Sequence, residues 1–300
     1  MKNLKYYLAA ILAFAIWGSF SLVLKPLHAY ASLDILFYRV FSCAIILTSI
    51  TVLFKRDTLK NNIALFRSLP KKDRRFYLLI NIGGSILLTF NWLSFIYVLN
   101  HISVRATSVA YLVCPILTTL LAYFLLREKL NRLQWLSVAL STVGCLVLSY
   151  DSLNSMIFAI FIGLTYACYL IIQSRNARFD KLLVLNFHIL ISAMVLLPMY
   201  PSLSGPVPTS FKFYAFVEVI AIFYTIVPLF LNLYALAGIN SSMVGMLLNV
   251  NPIIAFALSG LLYHEKLGAL AIIAYSIILV AVIVFNIHPQ QKQNRKTIAA

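Results

Sequence analysis

Charged residues are scarce in this sequence, and that scarcity excludes most classes of soluble protein. Asp, Glu, Lys and Arg make up 11% of the 300 residues, whereas about 25% is usual in a soluble domain. Hydrophobic residues reach 62%, and the mean hydropathy is +0.93. Because so few charges cannot cover a soluble fold of this length, an ordinary cytosolic enzyme and a disordered chain are excluded. The composition predicts an integral membrane protein.

Paired cysteines and the usual catalytic motifs are also missing. The four cysteines lie in apolar runs without a CxxC pair or a neighbouring histidine, which favours packing residues over disulfides or metal ligands. The sequence holds no HExxH, no GxSxG, no phosphate-binding loop and no intramembrane carboxylate pair. An intramembrane enzyme is therefore the weaker alternative, and we expect no prosthetic cofactor and no metal.

What the sequence does contain is ten apolar runs, each close to the length that a membrane helix needs. Two of the connections between them are very short, at 151–154 and 238–241. The prediction is an all-α integral membrane protein with ten transmembrane helices, at approximately 7–24, 33–54, 76–99, 104–126, 133–150, 153–173, 182–199, 212–236, 241–263 and 268–287.

Basic residues predict the orientation of these helices. With the N-terminus inside, 19 of the 24 Lys and Arg residues fall in cytoplasmic segments, 4 fall outside, and Arg39 lies within a span. Since Lys and Arg collect on the cytoplasmic side, both termini are predicted in the cytoplasm of a bacterial inner-membrane protein. The formal charge of +16 then reflects topology rather than nucleic-acid binding. The basic loop 55–75 either touches anionic membrane lipids, with Ile63, Phe66 and Leu69 at the interface, or is simply solvated.

The second half of the chain repeats the first. Pro115 and Glu128 are 13 residues apart, as are Pro252 and Glu265, and the run Glu-Lys-Leu recurs at an offset of 137. Five spans is an odd number, so the second half enters from the opposite face, which makes a 5+5 inverted-topology repeat. The predicted division is a first repeat at 1–150, a second at 151–288 and a cytoplasmic tail at 289–300.

Several short motifs resemble the EamA family of the drug/metabolite transporter superfamily, and within it the RarD-like branch. The resemblance covers essentially the whole chain. The matching stretches are Ile16-Trp17-Gly18, Tyr38-Arg39-Val40, Asn91-Trp92-Leu93-Ser94-Phe95-Ile96, Arg127-Glu128-Lys129-Leu130, Leu133-Gln134-Trp135-Leu136, Thr225-Ile226-Val227-Pro228-Leu229 and His264-Glu265-Lys266-Leu267-Gly268.

The resemblance implies ten helices, a central cavity between the two halves and a permease role. The sequence departs from the family pattern at Arg127 and His264, where the family often has glycine, and at Asn251, where RarD-like members usually have glycine. The substrate is therefore not carried over from the family.

Only three ionisable groups remain well inside the predicted spans: Arg39, His188 and Glu218. A charge at bilayer depth costs at least about 2.5–3.5 kcal/mol, so it should face a wet cavity or a partner. Arg39 and Glu218 are predicted in the outer third, either lining the pathway, pairing with each other or reaching the interface. In the repeat Arg39 aligns with His188, which is predicted in the inner third as a proton site or a packing donor, and Glu218 aligns with Asn81.

Further candidates for the pathway lie nearer the midplane. Pro115 and Pro252 are predicted to interrupt helices four and nine and to free the carbonyls four residues earlier. Such carbonyls are tolerated where they line a cavity or meet a side-chain donor. The asparagines at 249 and 251 are either those donors or substrate ligands. The substrate-site or cavity candidates at this depth are Trp17, Asn91, Tyr111, Tyr166, Asn249 and Asn251.

Together these features predict a secondary transporter that moves a small metabolite or drug-like solute, with export as the favoured direction. A channel-like facilitator and an intramembrane enzyme are the alternatives. The expected partners are a small-molecule substrate and membrane lipids, with no nucleic acid. The sequence leaves the substrate, the ion coupling and the oligomeric state open.

Overall fold

The computed structural model describes residues 3–102, 104–149, 153–176, 178–264 and 268–287. All regular structure within these ranges is helical. The α-helices are α1 (Leu4–Gly18), α2 (Ser21–Leu24), α3 (Ser32–Phe54), α4 (Arg56–Ser68), α5 (Lys71–His101), α6 (Val104–Leu126), α7 (Arg132–Ser149), α8 (Leu153–Gln173), α9 (Lys181–Leu196), α10 (Tyr200–Leu203), α11 (Phe211–Ala221), α12 (Val227–Gly238), α13 (Ser241–Leu247), α14 (Val250–Leu261) and α15 (Ala269–Asn286).

Each of the ten predicted spans coincides with helix. In the described ranges nine helical segments are long and apolar enough to cross a membrane. The remaining predicted span, the fifth at 133–150, corresponds to a shorter apolar helix at Arg132–Leu148. The tight turn at 238–241 is confirmed, because α12 ends at Gly238 and α13 begins at Ser241. The chain is thus a multi-pass membrane protein. Its tail at 289–300 and the turn at 151–152 lie outside the described residues.

The segment after α3 is more ordered than the predicted interfacial turn. It forms α4, a 13-residue helix with an exposed basic side. The other side of α4 is fastened to the connection before α9, because the Asn62 Oδ1 accepts a hydrogen bond from the Asp180 backbone N–H at 3.0 Å. The rings of Phe66 and Phe179 lie 6.3 Å apart. This side of α4 therefore packs on protein, while Ile63 stays exposed.

Of the two prolines that are predicted to interrupt helices, Pro252 follows an interruption and Pro115 does not. Pro115 lies inside the continuous helix α6, so its predicted interruption is wrong. α6 is enclosed by α7, α8, α13 and α14, and this packing carries the helix through the proline. Pro252 does follow an interruption at 248–249, where the freed Leu248 carbonyl accepts the Asn251 backbone N–H at 3.0 Å. A further irregularity, a π-helix at Ile222–Ile226, comes directly before Pro228.

The two ends of the bundle differ in charge. We call the end that holds the start of α1, the α3–α5 connection and the turns after α6, α8 and α12 the basic face, because most Lys and Arg residues lie there. At this face the Glu128 carboxylate accepts the backbone N–H groups of Ser241 and Ser242 at 2.9 and 3.1 Å and the Ser242 hydroxyl at 2.6 Å. Glu128 therefore caps the start of α13 from the turn after α6.

Glycines allow several helices to approach closely. A Cβ built on Gly18 would lie 2.7 Å from the Cβ of Ile254, and one on Gly245 would lie 2.7 Å from that of Thr118. These contacts bring together α1 with α14 and α13 with α6. A Cβ built on Gly83, in contrast, would meet nothing within 4 Å.

At two turns where the family often has glycine, this chain has other residues with positive φ. Arg127 and His264 both have φ of 53° and are the non-glycine residues with positive φ in the described ranges. They are separated by the repeat offset of 137. The left-handed conformation crowds a Cβ but not a glycine, which accounts for the glycine that the family often has at these turns.

We predict that Arg127→Gly and His264→Gly each stabilise the protein by about 1 kcal/mol, since relief of left-handed strain outweighs the added freedom of the unfolded chain. Unfolding in detergent gives the measurement. Lys129→Gly is the control, because Lys129 is exposed in the same turn and has negative φ, so it should destabilise. Loss of stability in both 127 and 264 variants would contradict the strain argument.

Candidate functional site

The indole of Trp17 supplies the hydrogen bond that Pro228 removes from the eighth predicted span. Proline has no N–H, so the carbonyl four residues earlier loses its helical partner. That carbonyl belongs to Tyr224, in the π-helix, and the Trp17 Nε1–H donates to it at 2.9 Å. Trp17 therefore ties α1 to the irregular part of the α11–α12 span.

Aromatic side chains continue from Trp17 into the centre of the bundle. The ring of Tyr166 meets Trp17 edge-on at 6.0 Å. Its hydroxyl accepts a hydrogen bond from the Asn232 Nδ2 at 2.7 Å, and it lies within electrostatic range of the Tyr111 hydroxyl. Asn232 is fully buried, and its Oδ1 has no partner. Trp17 and Tyr166 are thus in ring contact, and Tyr111 lies within electrostatic range of Tyr166. We call these three residues the aromatic row.

Arg39 lies at the end of this row. Its guanidinium carbon is 5.0 Å from the centre of the Trp92 ring, on α5. The Cys43 thiol and the Tyr111 hydroxyl are within electrostatic range of the charge. The Arg39 Nε is buried and makes no hydrogen bond. A cation–π contact stabilises the guanidinium, but it leaves the fork of N–H donors unoccupied.

Glu218 does not pair with Arg39. Its Oε1 accepts the Ser42 hydroxyl at 2.6 Å, and the side chain is exposed. Within the described part of the chain neither Arg39 nor Glu218 makes an ion pair. The hypothesis of a direct pair is therefore wrong. The carboxylate is instead bound by Ser42, three residues after Arg39 on α3.

His188 belongs to a separate polar cluster nearer the basic face. The imidazole is fully buried, with its Nε2 3.2 Å from the Asn81 Oδ1 and its Nδ1 3.4 Å from the Tyr169 hydroxyl. The Asn176 Nδ2 also donates to the Asn81 Oδ1, at 2.7 Å, and to the Gln173 Oε1, at 3.2 Å. The Tyr166 and Tyr169 rings stack at 5.7 Å, so the cluster adjoins the aromatic row.

Of the three predicted asparagines, Asn91 joins two helices, whereas Asn249 and Asn251 make local contacts. The Asn91 Nδ2 donates to the Ile162 carbonyl and to the Thr165 hydroxyl, both at 2.9 Å, which clamps α5 to α8. The Asn249 Nδ2 is 3.3 Å from the Met246 carbonyl, while its Oδ1 is buried without a partner. Asn251 satisfies the Leu248 carbonyl through its backbone rather than its side chain.

Sequence reasoning missed three members of this site. Trp92 belongs to one of the family motifs, but nothing in the sequence indicates that it lies under Arg39. Asn232 stands in an apolar run, and its amide was a visible signal for a buried partner such as Tyr166. Pro228 was also visible, and counting four residues back from it points to the Tyr224 carbonyl.

Comparison with known proteins identifies the family of this chain. The profile of the EamA-like transporter family matches residues 4–150 and again 153–287. The chain belongs to the EamA-like transporter family.

Relatives of this EamA-like protein span nearly its full length. It is 24% identical over 286 residues to an uncharacterized transporter of Pseudomonas aeruginosa, covering 93% of this chain and 92% of that one. It is 24% identical over 294 residues to the protein RarD of Escherichia coli, covering 96% of both. A solved crystal structure superposes with a TM-score of 0.73 at 15% identity, over 95% of this chain and 98% of the other. That likeness shows the fold alone.

The Trp17 hydrogen bond yields a stability prediction. Trp17→Phe keeps an aromatic ring but strands the Tyr224 carbonyl, which should cost about 1–3 kcal/mol of unfolding free energy. Trp135→Phe is the matched control, because Trp135 is 38% exposed on α7 and should cost under about 1 kcal/mol. Equal costs measured by denaturant titration in detergent would remove the special role of Trp17.

The separation of Arg39 from Glu218 yields a second prediction. In a double-mutant cycle, Arg39→Met and Glu218→Gln should change the unfolding free energy additively, within about 0.5 kcal/mol, because the residues share no contact. The single variants and the double variant are measured side by side in detergent. A coupling energy above about 1 kcal/mol would show that the two charges compensate each other after all.

Proposed function

We propose that this protein is a secondary transporter that carries a small metabolite or drug-like solute across the bacterial inner membrane by alternating access. Export is the proposed direction, in keeping with the drug/metabolite transporter resemblance. The observation that carries the proposal is the aromatic row of Trp17, Tyr166 and Tyr111 with Arg39 at its end. We call these four residues the central row, and they join helices from both EamA matches.

The helix contacts support a 5+5 inverted repeat. In such a repeat α1 corresponds to α8. The contacts of α1 with α12 and α14 should then be mirrored by contacts of α8 with α5 and α6, and all four contacts exist. The contact of α5 with α9 is likewise mirrored by that of α11 with α3. Helices that would lie on the pseudo-twofold axis pack on their own counterparts, as α3 does on α9 and α7 on α15. Such reciprocity suits a carrier that exchanges the roles of its halves.

The irregular helices supply places where such a carrier can bend. The eighth span contains the π-helix at Ile222–Ile226, and the ninth is broken at 248–249. π-bulges and proline sites are common positions of helix bending and frequently mark functional sites. Both irregularities lie in the second repeat, beside helices that carry the central row.

The orientation follows from the basic face. Lys and Arg concentrate at cytoplasmic ends, so we propose that the basic face is cytoplasmic and that both termini lie there. Arg39 then lies in the outer half of the membrane and the His188 cluster in the inner half.

The test is counterflow in liposomes containing the purified protein. A thermal-stability screen across amino acids, nucleosides, organic acids and antibiotics first identifies stabilising compounds. A carrier should then accumulate the labelled compound transiently when the unlabelled compound is trapped inside, and the flux should saturate. Arg39→Ala should reduce this flux at least tenfold with little loss of expression, since Arg39 belongs to the central row.

Other outcomes would replace the proposal. An ohmic single-channel current without counterflow would identify a channel. Chemical conversion of the compound by the purified protein would identify an enzyme. Uptake that is equal for oppositely oriented vesicles under every gradient would remove export as a preferred direction.

A further inference from the structure

Arg39 is a cation within the helix bundle whose charge is not paired with a carboxylate among the described residues. It is the one Lys or Arg well inside a predicted span. Its Nε is buried without a hydrogen bond, and its guanidinium rests on Trp92 at 5.0 Å. An unpaired charge at this depth is unfavourable unless something neutralises it.

The described carboxylates near the spans are already engaged elsewhere. Glu218 is exposed and accepts the Ser42 hydroxyl. The Asp34 Oδ1 accepts the Gly205 backbone N–H at 3.0 Å, and Glu128 caps α13 at the basic face. Within the described residues, therefore, no carboxylate forms an ion pair with Arg39.

The surroundings of Arg39 are aromatic rather than acidic. Trp92 covers one face of the guanidinium, and the Tyr111 ring lies 5.6 Å from that of Phe95. A planar guanidinium with free N–H groups binds a carboxylate through two parallel hydrogen bonds. One fixed positive charge neutralises a monoanion fully and a phosphate dianion only in part. The aromatic rings suit an apolar or aromatic body.

We propose that the solute is an organic monoanion whose carboxylate binds Arg39 and whose apolar body packs against Trp92, Tyr111 and Phe95. This inference rests on the proposed transport function, because it names the class of solute for the same central row. A cationic solute is repelled by Arg39, and a neutral solute leaves its charge uncompensated.

The first experiment needs no ligand. Because Arg39→Met removes an uncompensated charge and keeps an apolar side chain of similar length, it should raise the melting temperature of the purified protein by a few degrees. Lys25→Met is the matched control, since the exposed Lys25 also lies over an aromatic ring, Tyr263, at 4.0 Å. Its melting temperature should stay unchanged. A lower melting temperature for Arg39→Met would overturn the proposal, because it would show that the protein compensates the charge.

The second experiment compares compounds that share a body but differ in charge. The first set is indole-3-acetate, indole-3-acetamide and tryptamine, and the second is benzoate, benzamide and benzylamine. Titration calorimetry should give the carboxylate of at least one set a dissociation constant tenfold or more below those of its amide and amine. Arg39→Lys keeps the charge without the planar fork, so it should fold normally and weaken carboxylate binding about tenfold. Lys25→Met should bind as the wild type does.

The outcomes separate this inference from the transport proposal. Binding that prefers the amide or amine, or carboxylate binding that is unchanged in Arg39→Lys and Arg39→Met, would overturn the anion assignment. Absence of any carboxylate binding would overturn it as well. Saturable counterflow of a neutral or cationic solute would leave the transport function intact while removing the anion. Arg39-dependent carboxylate binding without any flux would keep the anion site and remove the transporter.

Discussion

A membrane interior offers no water to a backbone carbonyl that loses its helical partner, and this constraint organises the centre of the protein. Pro228 frees the Tyr224 carbonyl within the eighth span, and the Trp17 indole satisfies it. The position of α1 is thereby fixed against the place where α11 and α12 are joined. Since Trp17 also meets Tyr166, the same hydrogen bond aligns the aromatic row that leads to Arg39. One freed carbonyl thus links the helix irregularity to the candidate pathway.

The halves are joined at the basic face by a second interaction of the same kind. The first N–H groups of a helix have no partner within it, and Glu128 supplies the acceptor for α13 from the turn after α6. The left-handed conformation of Arg127 turns the chain just before that carboxylate. The strained turn at Arg127 therefore positions the Glu128 carboxylate as a charge-assisted cap for α13. This relation gives a physical reason for a glycine-glutamate pair at such turns.

Much of the fold was predictable because long apolar runs and loop charge reflect the bilayer itself. The helices at the predicted spans, the tight turn at 238–241 and the family were accessible from the sequence. Side-chain partners were not, because depth along a helix does not fix the direction in which a residue points. Arg39 and Glu218 have similar predicted depth, yet the Glu218 carboxylate is bound by Ser42 and not by Arg39. Pro115 and Pro252 match in the repeat, yet the helices packed around α6 keep it continuous.

The repeat also relates two polar pairs that the structure treats differently. Arg39 corresponds to His188 and Glu218 to Asn81 under the proposed inversion. The fully buried His188 on α9 is hydrogen-bonded to the partly buried Asn81 on α5, whereas Arg39 on α3 and Glu218 on α11 make no ion pair with each other. The hydrogen-bonded pair near the basic face and the unpaired charges toward the opposite face therefore give the two ends of the bundle different side-chain connections, although the proposed repeat relates them.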